Sequence, residues 1–315
     1  MNYRHAFHAG NFADVFKHAA LALIVEYLKR KTAPFALMDT HAGLGRYDLA
    51  AAEAERTGEW RDGIGRVLAS PARLPGLASL FKAIAAVNGG KKPTRDNPPR
   101  WYPGSPRIAR TLMRKCDRLW CAELHPEDAR ALAREFRGDA QALVRRMDGY
   151  EALRAWLPPR EKRGVVLIDP PFEQRDEFKL LLKGLGDGHR RFATGTFVLW
   201  YPIKDPRPVA AFHRALADSG IRKILVAELS SLRAGGEAIQ PGSPRRFAPR
   251  DDGKPRPPDD PARLNGCGLI VVNPPWRLDR DLAELVAGLR AILGESDGSA
   301  DRKEKARVVR WLVGE

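Results

Sequence analysis

The chain has 315 residues, 43% hydrophobic and 30% charged, which suits one large folded core with a small addition and argues against a disordered chain. Lys plus Arg total 54 against 39 Asp plus Glu, a formal net charge of +15 that favours polyanionic partners such as nucleic acid. Cys116, Cys121 and Cys267 form no CxxC pair, no apolar run approaches a membrane span and the first residues hold no apolar signal core, so a disulfide framework, a zinc site and a membrane protein are disfavoured and a cytoplasmic location is expected.

Residues 12–31 carry Val15, Phe16, Ala19, Leu21, Ile24 and Leu28 at helical spacing. Asp14 near the start and Lys29, Arg30 and Lys31 near the end suit the helix dipole, and Pro34 stops the helix. Phe35–Asp39 is a short apolar run closing on an acid, followed by Thr40-His41-Ala42-Gly43-Leu44-Gly45, which reads as a buried strand entering a glycine turn. Residues 49–99 are helical by pattern and end in a Gly- and Pro-rich loop; they read as a helical insertion subdomain in a core domain built from 1–48 and 100–315. Trp101–Pro106 reads as a stiff turn closing that insertion or lining a pocket.

Further short apolar runs lie at 119–123, 142–148, 165–169, 196–200, 224–228 and 269–273, with helical patterns at 126–137, 176–186 and 207–219. Strands alternating with helices predict an α/β fold with a mainly parallel sheet. Several runs end in an acid (Asp39, Glu123, Asp148, Asp169), which points to polar work at the carboxyl edge of that sheet. Residues 233–263, rich in Gly, Pro and Arg, read as a long loop.

Asp169-Pro170-Pro171-Phe172 is the sharpest motif. The exocyclic amine of adenine is a poor nucleophile, because its lone pair is delocalised into the ring. A site that methylates it needs acceptors aimed at both N–H bonds. Asp169 supplies one and the carbonyl of Pro170 another, held by prolines that restrict the backbone. Phe172 offers a face for a flipped base. Turn chemistry alone also accounts for Asp-Pro-Pro, but its place after a buried strand favours the catalytic reading. Asn273-Pro274-Pro275-Trp276 fits the same pattern; only 39 residues follow it, too few for the three strands expected after the catalytic turn, so it reads as a rigid turn.

The glycine turn around Gly43 lets backbone approach a bound nucleoside. Glu123 suits the two ribose hydroxyls, or caps the helix that starts near Pro126. Asp148-Gly149 suits the adenine end of a cofactor, or a turn. The first residues are rich in aromatic and cationic groups: Tyr3, Arg4, His5, Phe7 and His8 precede a helix carrying Lys17 and His18. Such groups suit a flipped base and its phosphates, so Tyr3, His5 and Lys17 are candidate substrate contacts, against a frayed terminus as the alternative. The histidines form no HExxH or similar motif, and no metal site is expected.

Taken together, these pieces resemble the bacterial 23S ribosomal RNA adenine-N6 methyltransferases of the RlmJ type. The resemblance spans nearly the whole chain and rests on Tyr3–Asn11, Ala13-Asp14-Val15, Lys17-His18, Asp39–Gly43, Tyr102–Pro106, Glu123–Pro126, Asp169–Pro171, Arg191–Gly195, Leu199–Pro202, Gly220–Ile224 and Asn273–Trp276. It implies a class I S-adenosylmethionine-dependent methyltransferase (Rossmann-like) fold with a small helical insertion, acting as a monomer. It implies cofactor contacts at His18, His41, Ser105, Glu123, Asp148, Gly149 and Asp169, and roles for Tyr3 and Lys17 toward the adenosine. Phe172 stands where the family often has Tyr, and the stretch 233–263 is longer than usual. The resulting expectation is methylation of adenine N6 in 23S ribosomal RNA, free of protein or early in assembly, with S-adenosyl-L-methionine. The alternatives are a DNA adenine-N6 methyltransferase, a glutamine-directed protein methyltransferase and a non-catalytic RNA-binding protein on a methyltransferase fold.

Overall fold

The computed structural model describes residues 4–230, 264–294 and 308–314; Tyr3 and the stretch 233–263 lie outside the described residues. Ten strands occur among the described residues: β1 Ala36–Asp39, β2 Arg46–Asp48, β3 Trp101–Pro103, β4 Arg118–Glu123, β5 Ala142–Arg146, β6 Gly164–Ile168, β7 Thr196–Ile203, β8 Ile224–Ser230, β9 Gly266–Val272 and β10 Val309–Val313. Eight of them form one sheet in the order β10-β8-β9-β7-β6-β1-β4-β5, and β2 pairs with β3 separately. The ladders from β5 through β4, β1 and β6 to β7 are parallel, whereas β9 is antiparallel to both β7 and β8, and β10 to β8.

Each apolar run read from the sequence becomes a strand of this sheet, and the fold is the Rossmann-like class I methyltransferase fold expected. Two features go beyond that reading. Strand β9 is reversed, and β10 adds a fourth strand after Asp169 where three were expected. The short β2–β3 pair also escaped a reading built on longer apolar runs.

The core follows from period-two alternation along the strands. Leu37, Val165, Leu167, Val198, Leu225, Leu269 and Val271 face one way, onto α1 (Phe12–Leu28), α5 (Ser105–Leu112) and α10 (Leu278–Leu293). Met38, Val166, Ile168, Phe197, Leu199, Val226 and Ile270 face the other way, onto α7 (Gly149–Trp156), α8 (Glu177–Arg191) and α9 (Pro206–Ala217). Each such side chain contributes roughly 1.5–3 kcal/mol by leaving water. The helical stretch after β2 contains α2 (Ala52–Thr57), a wide turn at Arg61–Gly65, α3 (Arg66–Ala69) and α4 (Leu77–Val87). Its Ile64, Val67, Leu77, Leu80 and Ile84 pack into the same core as α1.

From β1 the chain moves outward through β4 and β5, then returns to β6 on the other side of β1. The order therefore reverses between β1 and β6, and their carboxyl ends open the crevice in which such sheets bind ligands. Asp39 ends β1 and Asp169 directly follows β6, so the two acids flank that crevice.

Candidate active site

The first turn of helix α1 reaches the crevice edge. Its N-cap is Asn11, whose side chain accepts from the Asp14 N–H, and this fixes the first turn. The turn buries Asp14 and Lys17. Lys17 Nζ lies 2.6 Å from Asp169 Oδ2 and 2.9 Å from Asp14 Oδ1. Asp14 Oδ2 also accepts from the Gly10 N–H and pairs with His5 Nε2, both at 2.9 Å. Burial alone would raise the Asp14 carboxyl, but His5 and Lys17 overcome it and hold the group well below the usual range. Burial likewise opposes the charge on Lys17, but Asp14 and Asp169 hold the ammonium well above its ordinary value. Four side chains from three stretches of the sequence thus form one continuous polar chain, His5–Asp14–Lys17–Asp169.

A second group of residues lines the β1 and β4 side. Ser105 Oγ donates to Asp39 Oδ2 at 2.6 Å, yet burial pushes the Asp39 carboxyl up to about 7. The Thr40 hydroxyl donates to the Leu167 carbonyl at 3.0 Å, so it accepts from His41 Nδ1–H at 2.8 Å and leaves His41 Nε2 as an acceptor. Burial brings His41 down to about 4, so the ring is neutral near pH 7. Glu123 accepts from the Gly43 N–H and the His125 N–H, both at 2.8 Å, which ties the glycine turn to the end of β4. These bonds steady the turn before α6 (Pro126–Glu135), and a carboxylate has acceptor capacity beyond them. Asp148 caps α7 through the N–H groups of Tyr150 and Glu151. Next to it, a Cβ on Gly149 would stand 2.3 Å from the Thr40 carbonyl oxygen and 2.8 Å from His41 Cε1, so only glycine permits this approach. His18 lies deeper: it is 1% exposed, bonded through Nδ1 to the Tyr102 hydroxyl at 3.0 Å, and burial takes it down to about 3.

Phe172 adopts a left-handed backbone (φ 52°) and packs edge-on to Phe178 at 5.1 Å and Trp200 at 5.9 Å. In the β6–β7 ladder Ile168 pairs with Leu199, so Asp169, just past the end of β6, stands beside Trp200 of the longer β7. Lys17 Nζ lies 6.0 Å from the Trp200 ring centroid. The sequence reading missed Trp200, for which an aromatic at the end of the fifth core strand was the available signal. It also missed Glu59, which binds His8 Nδ1 at 2.9 Å and Asn11 Nδ2 at 3.0 Å. Thr57 Oγ1 donates to the Phe7 carbonyl at 2.5 Å and the Ile64 N–H to the Gly10 carbonyl at 2.9 Å. A Cβ on Gly63 would meet that same Gly10 oxygen at 2.2 Å. Residues 57–64 therefore hold the N-terminal segment against α1.

The structure brings His5, Lys17, His41, Gly43, Ser105, Glu123, Asp148, Gly149, Asp169, Pro170 and Phe172 to the carboxyl edge of the parallel strands, with His18 beneath them. Asn273 is elsewhere. Because β9 is antiparallel, its end falls at the amino edge, where Val272 pairs with Phe197. There Asn273 Nδ2 donates to the carbonyls of Ala193 and Gly195 at 2.8 and 2.9 Å, and its own carbonyl accepts from Thr196 Oγ1 at 2.9 Å. Those bonds lock a turn.

Among solved structures, a Legionella pneumophila protein is similar at a TM-score of 0.75 and 29% identity, covering 91% of this chain and 94% of that one. A protein named Ribosomal RNA large subunit methyltransferase J from Escherichia coli K12 is 40% identical over 100% of both chains. One of the same name from Haemophilus influenzae is 39% identical over 95% of this chain and 96% of that protein. A family model described as Ribosomal RNA large subunit methyltransferase D, RlmJ, matches residues 32–237 and 253–306. With its sheet order, its acid-lined crevice and these full-length likenesses, the chain belongs to the RlmJ family of ribosomal RNA large subunit methyltransferases.

Proposed function

We propose that this protein methylates the exocyclic N6 amine of an adenine in large-subunit ribosomal RNA, with Asp169-Pro170-Pro171-Phe172 holding the flipped base. The observation that carries the reading is Asp169 at the end of β6, beside the topological switch point, with Lys17 Nζ at 2.6 Å from its carboxylate. Lys17 engages Oδ2 of that carboxylate, and a carboxylate has further acceptor sites for a hydrogen bond from the amine. The Pro170 carbonyl is the second acceptor, and together the two acceptors draw the nitrogen toward tetrahedral geometry. Phe172 and Trp200 supply aromatic surface for the base, and His5 with Lys17 stands on the substrate side; by its residue type Tyr3 is a further substrate contact in this reading.

Residues fit for S-adenosylmethionine line the neighbouring half of the crevice. The cradle at Gly149, which a Cβ would fill, and the acceptor capacity of Glu123 and Asp148 suit a nucleoside. In this reading Glu123 serves the ribose, Asp148, Gly149 and the neutral His41 serve the adenine side, and Gly43 with Ser105 borders the remainder, while His18 supports the pocket from below. When bound, the cofactor supplies a methyl group on a sulfonium leaving group. The chain's own task is alignment, polarisation of the amine and exclusion of water. Residues 49–99 are read as an insertion subdomain that positions the N-terminal segment. By its resemblance the enzyme works as a cytoplasmic monomer on protein-free or early-assembly RNA.

The test is transfer of labelled methyl from S-adenosylmethionine to RNA, DNA and protein pools, followed by nucleoside analysis. N6-methyladenosine in the large-subunit RNA pool is the expected product. Label confined to DNA or protein would overturn the reading.

A further inference from the structure

Among the described residues five non-glycine residues have a positive φ: Phe172 at the crevice, and Lys162 (53°), Lys223 (55°), Asn273 (50°) and Arg277 (69°). The last four all lie on the opposite, amino edge of the sheet. Lys162 precedes β6, Lys223 precedes β8, and Asn273 and Arg277 follow the antiparallel β9. These segments belong to strands that are neighbours in the order β8-β9-β7-β6, and a backbone bond joins two of them: the Asn273 N–H donates to the Lys223 carbonyl at 3.0 Å. Asparagine tolerates a left-handed backbone; a long cationic side chain there costs free energy that glycine would avoid. Three of these four strained positions nevertheless carry exposed cations.

Helix dipoles do not explain the pattern. Arg191 beside them, at the C-terminal end of α8, does suit that helix's dipole. Arg277 is the N-cap of α10, where a cation faces the positive end of the dipole and its side chain caps no backbone N–H. Among the described residues neither Lys162 nor Arg277 forms an ion pair, so no carboxylate compensates them. Between Asn273 and Arg277, two prolines present Trp276 at 75% exposure, the most exposed of the large apolar side chains described. Locally expensive cations around a rigid, exposed aromatic are the composition of a surface that grips phosphates and stacks a base.

We infer that this amino-edge rim, with Lys162, Lys223, Arg277 and Trp276, is a second RNA-binding surface that holds the phosphate backbone of the substrate RNA away from the acceptor base. The inference rests on an RNA substrate as proposed above. Strand β6 separates the rim from Asp169 by five residues, about 17 Å at the usual rise per residue, so one folded RNA can reach both edges.

The test is a triple variant, Lys162→Gly, Lys223→Gly and Arg277→Gly, compared with the unaltered enzyme on in-vitro-transcribed large-subunit ribosomal RNA. The substitutions remove charge and relieve the backbone together. The melting temperature should stay level or rise, and kcat at saturating RNA should remain within about two-fold, because no residue of the crevice is altered. Affinity should fall about ten-fold, and the slope of log affinity against log salt should shrink by about 2, as expected for the loss of two to three phosphate contacts. Trp276→Ala should weaken binding about five-fold or more through lost stacking. If both variants bind the RNA with unchanged affinity and salt slope, the rim is not an RNA surface. That failure is distinct from a failure of the proposed function, in which the unaltered enzyme would transfer no methyl to RNA.

Discussion

Lys17 Nζ stands between Asp169 Oδ2 at 2.6 Å and Asp14 Oδ1 at 2.9 Å, so one buried ammonium joins the first turn of α1 to the end of β6. It also places a charge supplied by the N-terminal helix against the carboxylate of the proposed chemistry. The order of the N-terminal segment and the position of the Asp169 carboxylate are therefore linked through Lys17.

Removing that ammonium is expected to be costly in two separable ways. Lys17→Met leaves two carboxylates without their cation, a loss of about 3–5 kcal/mol for a broken buried pair. Methyl transfer should also fall by about two orders of magnitude in kcat, as for loss of a preorganised electrostatic group. Adding Asp14→Asn should return much of the stability and none of the activity. Thermal melts with single-turnover assays check this; recovery of activity in the double variant would contradict a role for Lys17 at Asp169.

Burial raises Asp39 to about 7, above its ordinary 3.8. The folded state then binds this proton more tightly than the unfolded chain. The Asp39 contribution to stability is full below about pH 4 and declines as pH rises toward 7. Asp39→Asn has no such proton to lose. Its melting temperature relative to the unaltered enzyme should climb between pH 4 and 7 and level off above. A pH-independent difference across that range would show that Asp39 is ionised throughout.

Glu59 binds His8 and Asn11, and its pair with His8 is about one-third exposed, so it adds at most about 1 kcal/mol to stability. Its loss should nonetheless loosen the segment that carries His5 to Asp14. Glu59→Ala is expected to lower kcat/KM ten- to hundred-fold with a small change in melting temperature. Glu59→Gln keeps an acceptor for Asn11 and should lose less. Equal, full activity in both variants would separate the segment from the reaction.

The two proline turns should behave in opposite ways. Asp169→Ala should abolish transfer with little loss of fold. Asn273→Ala puts alanine at a φ of 50° and strips the bonds to Ala193 and Gly195, a cost of about 2–3 kcal/mol, while kcat at saturating RNA stays close to normal. Inactive but stable Asn273→Ala protein would exchange the two assignments.

Much of this protein is decided locally. Apolar runs such as Val165–Ile168, short and rich in β-branched residues, favour buried strands between covering helices, and the repeated acid at their ends points to one polar edge before any fold is known. Asp169-Pro170-Pro171-Phe172, Gly43, Glu123 and Asp148-Gly149 were legible because each depends on its own strand and turn. Direction and partnership were not. Nothing in the residues 269–273 says that β9 runs antiparallel, yet that reversal alone sends Asn273-Pro274-Pro275-Trp276 to the edge away from the crevice. The sequence shows Asp14 and Lys17 one helical turn apart, but their companions His5 and Asp169 arrive from a 3-10 turn and from a strand more than 150 residues away. The same holds for Glu59, Trp200 and the rise of Asp39 toward neutrality. Alternation and turn chemistry are properties of neighbouring residues, whereas ion pairing, desolvation and the shared face of a sheet edge exist only once the tertiary fold has brought distant residues together.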